Sequence, residues 1–275
     1  MRRSLRHNLR ASVRSSLRAG LVAGSYAGHN MVAFDGTNDY LNRGAIATGL
    51  GTARYMTLAF KIKPMKAAGT LQNLLHFGAA NARFYLQTDN RFFWSMTSAS
   101  LGGVQLITAA SKGTVLTTGT EYHYHIAVDF QNGSIGGVTT WLNGVEETYD
   151  DGVGNPTAAV TGLGGTPGDA TWGSLTQTAI AASNAGAFKF EGQLGFFWFT
   201  VGNTTASYIT DPTKFYSGGD VDLGTDGTGS GLTQPVIFWG GRNTAADWNG
   251  TVGTQTAQNK GSGADLWTMA SDGVV

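Results

Sequence analysis

The chain has 275 residues, with 41 glycines, 5 prolines, no cysteine and 13% charged residues. That length accommodates one large domain with extensions or two modest ones, and it can bury a core unaided. The missing cysteine excludes a disulfide framework, a thiolate metal site and a cysteine nucleophile, and favours assembly in a reducing cytoplasm.

The formal net charge is zero, but it is unevenly distributed. Arg2, Arg3, Arg6, Arg10, Arg14 and Arg18 precede the first acid, Asp35, which leaves 12 basic against 18 acidic residues elsewhere, a net charge of −6. Leu5, Leu9, Val13, Leu17 and Leu21 recur every four residues, as do five of the arginines. At about 100° per residue these sets form neighbouring stripes on a helix, beside a small-sided face of Ser4, Asn8, Ala11, Ser12, Ser15 and Ala19. Gly20, Gly24 and Gly28 then end the helix and link it to the body.

An Arg-, Ser- and Leu-rich segment without acids is also the composition of a transit peptide. A membrane-surface helix is a second alternative, although this apolar stripe has no aromatic anchor. The favoured reading is an assembly arm that orders on an acidic protein surface, because a helix of this length is marginal alone in water. Its docking residues are Arg2, Arg3, Arg6, Leu9, Arg10, Val13, Arg14, Leu17 and Arg18. No run of about 18 apolar residues occurs, so no membrane span is expected.

From Val32 the periodicity becomes two. Met56, Leu58, Phe60 and Ile62 alternate with Thr57, Ala59, Lys61 and Lys63, predicting a strand with one buried face. Tyr122, Tyr124, Ile126, Val128 and Phe130 alternate in the same way with His123, His125, Ala127 and Asp129. Thr139–Leu142 runs into Asn143-Gly144, a strong hairpin signal, and a dense apolar strand is predicted over 188–201. Shorter strands are predicted at 74–77, 84–87 and 92–96. Many strands without intervening helices predict two packed antiparallel sheets.

Several of these segments resemble the laminin-G-like, concanavalin-type jelly roll of lectins and glucanases. Phe34-Asp35-Gly36 followed by Asp39-Tyr40-Leu41 resembles its opening strand pair, and Met56–Pro64 its next long strand. Tyr124-His125-Ile126-Ala127 resembles its W-Y-H-I-A strand, with His123 where Trp is usual. Trp141-Leu142-Asn143-Gly144-Val145 resembles its Y-V-N-G-V hairpin, and Phe190-Glu191-Gly192-Gln193-Leu194 its returning F-x-G-x-I strand. The likeness covers about residues 31–202. Beyond it, Thr210-Asp211-Pro212, Lys214-Phe215-Tyr216, Val221-Asp222-Leu223-Gly224 and Asp226-Gly227 resemble a tail appended to such domains in bacteriophage proteins.

The same sandwich hosts glucanases, which need two carboxylates spaced across a cleft. Glu146-Glu147 and Asp150-Asp151 are adjacent pairs that point to opposite faces of a strand, so no catalytic residue is assigned and an enzyme is not expected. His123 and His125 share a face, but packing is the favoured reading over metal binding. Calcium is a candidate because modules of this type bind it at a sandwich rim. Asp150 and Asp151 would supply its hard oxygen ligands, with Asn155 and Asp169 on neighbouring loops. No other cofactor is expected. Trp172, in a Gly-rich loop beside Asp169, suits stacking on a sugar ring, with Tyr149 completing a candidate ligand site.

The sequence therefore predicts an all-β, two-sheet antiparallel jelly-roll sandwich over 31–202, with a basic helical arm and Gly linker over 1–30. A Gly/Thr-rich extension over 203–275 is expected to pack on the sandwich. The expected function is a non-enzymatic virion structural or adhesion protein, such as a head decoration, spike or tail-fibre component. Such a protein would assemble in the host cytoplasm as a homo-oligomer. Its arm would dock on other virion proteins and its outward face would bind a host-surface glycan, with no nucleic-acid partner. The alternative is a glycanase or a free-standing carbohydrate-binding module.

Overall fold

The computed structural model describes residues 31–37, 40–43, 52–77, 82–96, 107–111, 114–131, 137–147, 149–150, 170–171, 178–181, 188–224, 226–240, 256–258 and 266–270. The expected helical arm lies outside these residues.

In chain order the strands are β1 (Val32–Asp35), β2 (Tyr40–Arg43), β3 (Thr52–Ala53), β4 (Tyr55–Pro64), β5 (Gln72–Phe77) and β6 (Ala82–Leu86). They continue as β7 (Phe92–Met96), β8 (Ile107–Ser111), β9 (Tyr122–Asp129), β10 (Val138–Leu142), β11 (Val145–Glu146) and β12 (Tyr149–Asp150). The last six are β13 (Ala170–Thr171), β14 (Thr178–Ile180), β15 (Glu191–Gly202), β16 (Ile237–Gly240), β17 (Thr256–Gln258) and β18 (Leu266–Ala270).

Among the described residues these strands form two large sheets. One runs β1-β15-β4-β9-β10-β11 with β16 also on β15; the other runs β12-β8-β7-β6-β5-β14-β2-β18-β17. Every pairing within them is antiparallel. The short pair β3 and β13 stands apart. The two packed antiparallel sheets expected from the alternating pattern, and the jelly-roll sandwich that the resemblance implies, are the architecture found.

Register explains the core. Phe60 pairs with Tyr124 on β9 and with Phe197 on β15, and Leu58 pairs with Ile126 and Phe199. Paired residues share a face, so these aromatic and branched side chains line one side of the first sheet. Across the gap they meet Leu75, Phe84, Leu86 and Phe92 of the second sheet in one apolar cluster. Phe92 sits with its ring centroid 4.1 Å from Tyr124 and 5.5 Å from Phe60. Burying such a side chain contributes ~1.5–3 kcal/mol, so this layer dominates stability.

The Asn143-Gly144 turn forms as its residue types require, with positive φ at both positions (49° and 75°) between Leu142 and Val145. Asn143 is tied to β9 twice: its side-chain oxygen accepts from the His123 N–H and its own N–H donates to the His123 carbonyl.

β15 has β4 along one edge, while its other edge is divided. Residues 191–194 pair with β1, and 196–199 pair with β16, on either side of an irregularity at Gly195. The region after residue 202 therefore contributes strands to both sheets: β16 to the first, β17 and β18 to the second. Trp239 on β16 is buried in the inter-sheet core, Trp267 lies on β18, and Trp248 is outside the described residues.

Candidate functional site

The alternation in β4 predicts that Thr57, Ala59 and Lys61 face solvent. They do face away from the inter-sheet core, but Thr57 and Ala59 are fully buried and Lys61 is 6% exposed. Residues 203–236, described apart from residue 225 and called the strap below, leave the end of β15, cross the outer face of the first sheet and return as β16. Phe215, Leu223 and Leu232 of the strap, with Phe238 of β16, form a second apolar cluster with Ala59, Phe196 and Trp198. Alternation reports which residues share a face; it does not report what covers that face.

Polar contacts fix the strap in place. The Thr57 hydroxyl donates to the Ser207 carbonyl (2.8 Å) and accepts from the Ile209 N–H (3.0 Å). The Trp198 indole N–H donates to the Gly227 carbonyl (2.9 Å). At the far end of β4, Asp220 takes His123 Nε2 on one oxygen (2.7 Å) and Lys61 Nζ on the other (2.9 Å). Glu121 also reaches Lys61 Nζ at 3.0 Å. The Tyr216 ring packs 4.9 Å from that of His123.

His125 lies beneath the strap, stacked on Trp141 (4.4 Å, 18°) and tilted against Phe215 (4.7 Å). Burial pushes its imidazole down to about 3, with the Ile209 main chain and the Asp211 charge pulling the other way. It is therefore neutral at ordinary pH. His123 and His125 do share a face, and both are occupied by packing and strap contacts. Among the described residues no cluster of three metal-ligating side chains occurs.

Where the strap turns back on itself it forms a cleft of about 370 Å³. Tyr208, Ile209, Ala206 and Leu232 supply apolar lining, and Thr205, Thr210, Thr233, Asp211 and Lys214 supply the polar groups. Tyr208 is backed by Tyr55 (5.2 Å, 27°), which lies under the Arg54 guanidinium (4.7 Å). Arg54 in turn forms a bidentate pair with Asp129 (2.9 and 2.8 Å). Burial, then the charge of Asp129, raises the Tyr208 phenol, so it stays a neutral donor and acceptor.

Asp211 caps the short turn Pro212–Lys214, accepting from the Thr213 N–H (3.0 Å) and hydroxyl (2.6 Å) through one oxygen. Those two bonds hold its carboxyl below the usual range, so it is ionised and has a second oxygen for a ligand. Lys214 Nζ donates to the Ser230 carbonyl (2.9 Å), joining the two walls of the cleft. An aromatic ring, a carboxylate and several hydroxyls around one hollow have the chemistry that suits a polyhydroxylated ring.

The sequence marks Thr210, Asp211 and Lys214 only through the tail resemblance and assigns none of the cleft residues to a ligand site. The Asp211-Pro212 cap is a visible local signal, but only the path of the strap brings 205–211 to 231–233. Of the sequence-predicted ligand residues, Trp172 and Asp169 lie outside the described residues, as do the candidate calcium ligand Asp151 and the whole docking arm. Tyr149 and Asp150 lie on β12, paired with Ser111 and Ala110 at an edge of the second sheet, and neither lines the cleft. Glu146 is exposed whereas Glu147 is buried, so the adjacent pair does point apart. Burial pushes the Glu147 carboxyl up to about 7, with nearby Thr114 pulling weakly the other way. Among the described residues no helix is long and apolar enough to cross a membrane.

No protein-family model and no curated protein matches the chain. Among solved structures it is similar to a putative carbohydrate binding protein from Bacteroides ovatus, with a TM-score of 0.53 and 11% identity over 90% of this chain. The match spans 59% of that protein's length. Weaker similarities include domains LG4-5 of the mouse laminin alpha1 chain (TM-score 0.39, 12% identity, 66% of this chain and 44% of that one). Another is the CBM40 of a Ruminococcus gnavus sialidase (0.42, 11%, 69% and 97%).

Proposed function

We propose that the chain is a non-catalytic carbohydrate-binding sandwich module whose ligand site is the strap cleft. The observation that carries this reading is the cleft's composition. Tyr208, Ile209 and Leu232 offer an apolar surface to the face of a sugar ring, and Asp211 with Thr205, Thr210 and Thr233 reads hydroxyls. Among the described residues Asp211 is the one carboxylate lining the cleft, whereas glycoside hydrolysis ordinarily uses two. That composition favours binding over turnover. The B. ovatus protein that shares the fold is described as a putative carbohydrate binding protein, the same class of ligand.

The test is binding of the purified chain to a panel of immobilised neutral and acidic glycans, followed by titration calorimetry. Tyr208→Ala and Asp211→Ala should each weaken binding about ten- to a hundredfold, the loss expected for a stacking ring or a charged hydrogen-bond partner. Full affinity in both variants would place the ligand elsewhere.

We further propose that residues 1–30 attach this sandwich, in several copies, to a virus-like particle, with the cleft directed outward. The support is the coincidence of an Arg stripe, a Leu stripe and a small-sided face ahead of a Gly-rich link. Reversing Arg6, Arg10 and Arg14 to Glu should abolish incorporation into the particle while leaving the thermal melt of the isolated chain unchanged. Normal incorporation would return the arm to a targeting or membrane-surface role.

A further inference from the structure

We propose that Asp129, Arg54 and Tyr55 form a positioning relay that fixes the plane of the Tyr208 ring, and that this plane sets how tightly the strap cleft holds a sugar. The effect on binding rests on the cleft being the carbohydrate site; the orientation of the ring does not.

Tyr208 is among the residues lining the cleft; Arg54, Tyr55 and Asp129 are not. The main chain on either side of Tyr208 is already anchored. The Ser207 carbonyl accepts from the Thr57 hydroxyl, and the Ile209 N–H donates back to it. The Tyr208 N–H donates to the Thr205 carbonyl at 3.0 Å. What those bonds leave open is rotation of the side chain about its own χ angles. The Tyr55 ring restricts that rotation from one side, with centroids 5.2 Å apart and planes inclined by 27°.

Room for this stack comes from the residue beside Tyr55. Tyr55 pairs with Gly202 on β15, and a Cβ at Gly202 would overlap the Ser207 hydroxyl. With no side chain there, the strap comes down onto the sheet and brings Tyr208 against Tyr55.

Tyr55 is 7% exposed and is held in turn by its other neighbours. Asp129 pairs with it on β9, and Arg54, at the bend before β4, places its guanidinium 4.7 Å from the Tyr55 centroid. Both carboxylate oxygens of Asp129 hold that guanidinium, at 2.9 and 2.8 Å. A two-pronged contact fixes the guanidinium plane as well as its place, which an ammonium does not. The Arg54 main chain is tied as well. Its N–H donates to the side-chain oxygen of Asn203 at the start of the strap (2.9 Å), and its carbonyl accepts from the Phe130 N–H (2.8 Å). Each member of the series is therefore restrained by the one before it.

This order bears on affinity because immobilising a loose ring on binding weakens the complex. The Arg54 side chain is 38% exposed, so its ion pair adds little to stability. Its loss should register in the ring and in binding, with the thermal melt close to wild type.

The experiment reads the ring without ligand and the affinity with it. NMR of the ligand-free chain carrying ring-labelled tyrosine, with the Tyr208 signal assigned from Tyr208→Phe, should show that signal displaced in Arg54→Lys and in Asp129→Asn. On the tightest-binding glycan of the panel, each variant should weaken binding about three- to tenfold. Tyr55→Leu should do the same, and Tyr55→Phe, which keeps the ring, should restore most of the loss. In a Tyr208→Ala background Arg54→Lys should have no further effect, because the relay acts through that ring.

Wild-type affinity in Arg54→Lys would overturn the proposal, as would weakened affinity with an unmoved Tyr208 signal. So would an Arg54→Lys loss that persists in full without the Tyr208 ring, since Arg54 would then act on the ligand by another route. A wild type that binds no glycan, with a Tyr208 signal that still moves in Arg54→Lys, refutes the carbohydrate reading and leaves the relay standing.

Discussion

Trp198 donates its indole N–H to the Gly227 carbonyl at 2.9 Å on the side of the sheet away from the inter-sheet core. The largest side chain of β15 on that face is thus bonded to the segment that covers it. Trp198→Phe would keep much of the ring's bulk but leave that carbonyl buried without its donor. The unfolding free energy should fall by about 1–3 kcal/mol in urea titrations, with an unchanged slope. An unaltered midpoint would mean that water or another donor replaces the indole.

Thr57 connects the cleft wall to β4 through two hydrogen bonds made by one hydroxyl. Thr57→Val preserves shape and removes both. A loss of about 1–3 kcal/mol is expected, together with weaker glycan binding, whereas Thr57→Ser should retain most of each. Calorimetric melts and glycan titrations on the two variants separate the hydroxyl from the methyl.

Gly227 has φ of +86°, and a Cβ there would come within 2.8 Å of the Pro235 ring. Gly227→Ala therefore combines a disfavoured backbone conformation with overlap against a ring that cannot rotate away. Destabilisation of about 1–3 kcal/mol is expected from thermal or urea unfolding. Gly218→Ala also has a positive φ, 73°, but meets nothing within 4 Å, so it should cost less.

His125 and Glu147 pull the stability profile in opposite directions. His125 falls from 6.5 unfolded to about 3 folded, so the stability it allows is complete above pH 6.5 and lost as pH drops toward 3. Glu147 rises from 4.5 to about 7, so its contribution is complete below pH 4.5 and lost as pH rises toward 7. Each slope is about 1.4 kcal/mol per pH unit, and between pH 4.5 and 6.5 the two oppose each other. Relative to wild type, Glu147→Gln should lose stability as pH falls through that window, and His125→Phe should gain it. Urea midpoints measured at half-unit intervals would reveal either slope; parallel profiles for all three proteins would rule out both assignments.

The sandwich was legible because its strands repeat a local rule. Met56, Leu58, Phe60 and Ile62 announce their face every second residue, and Asn143-Gly144 announces a turn whose two positive φ values few other pairs tolerate. The cleft obeys no such rule. Thr57 reads as a solvent-facing position in β4, and nothing local shows that residues 150 positions away will close over it. The same holds for Lys61 and Asp220, separated by 159 positions in sequence and 2.9 Å apart in space. His123 and His125 were placed correctly on one face by parity, but their packed roles depend on the strap.

Because β15 and β16 pair directly, the strap is topologically a single hairpin loop, however much surface it covers. Loops of this kind accept changes in length and sequence at modest entropic cost, since closure grows only with the logarithm of length. The sheet beneath imposes few demands on it: main-chain groups at 207, 209 and 227, a carboxylate at 220, and apolar groups to cover Ala59, Phe196 and Trp198. Related chains could therefore vary the outward-facing positions between residues 202 and 237 while every strand register stays as it is. The anchoring positions, whose loss costs stability, would stay fixed, so variation would concentrate on the surface that the proposed ligand meets.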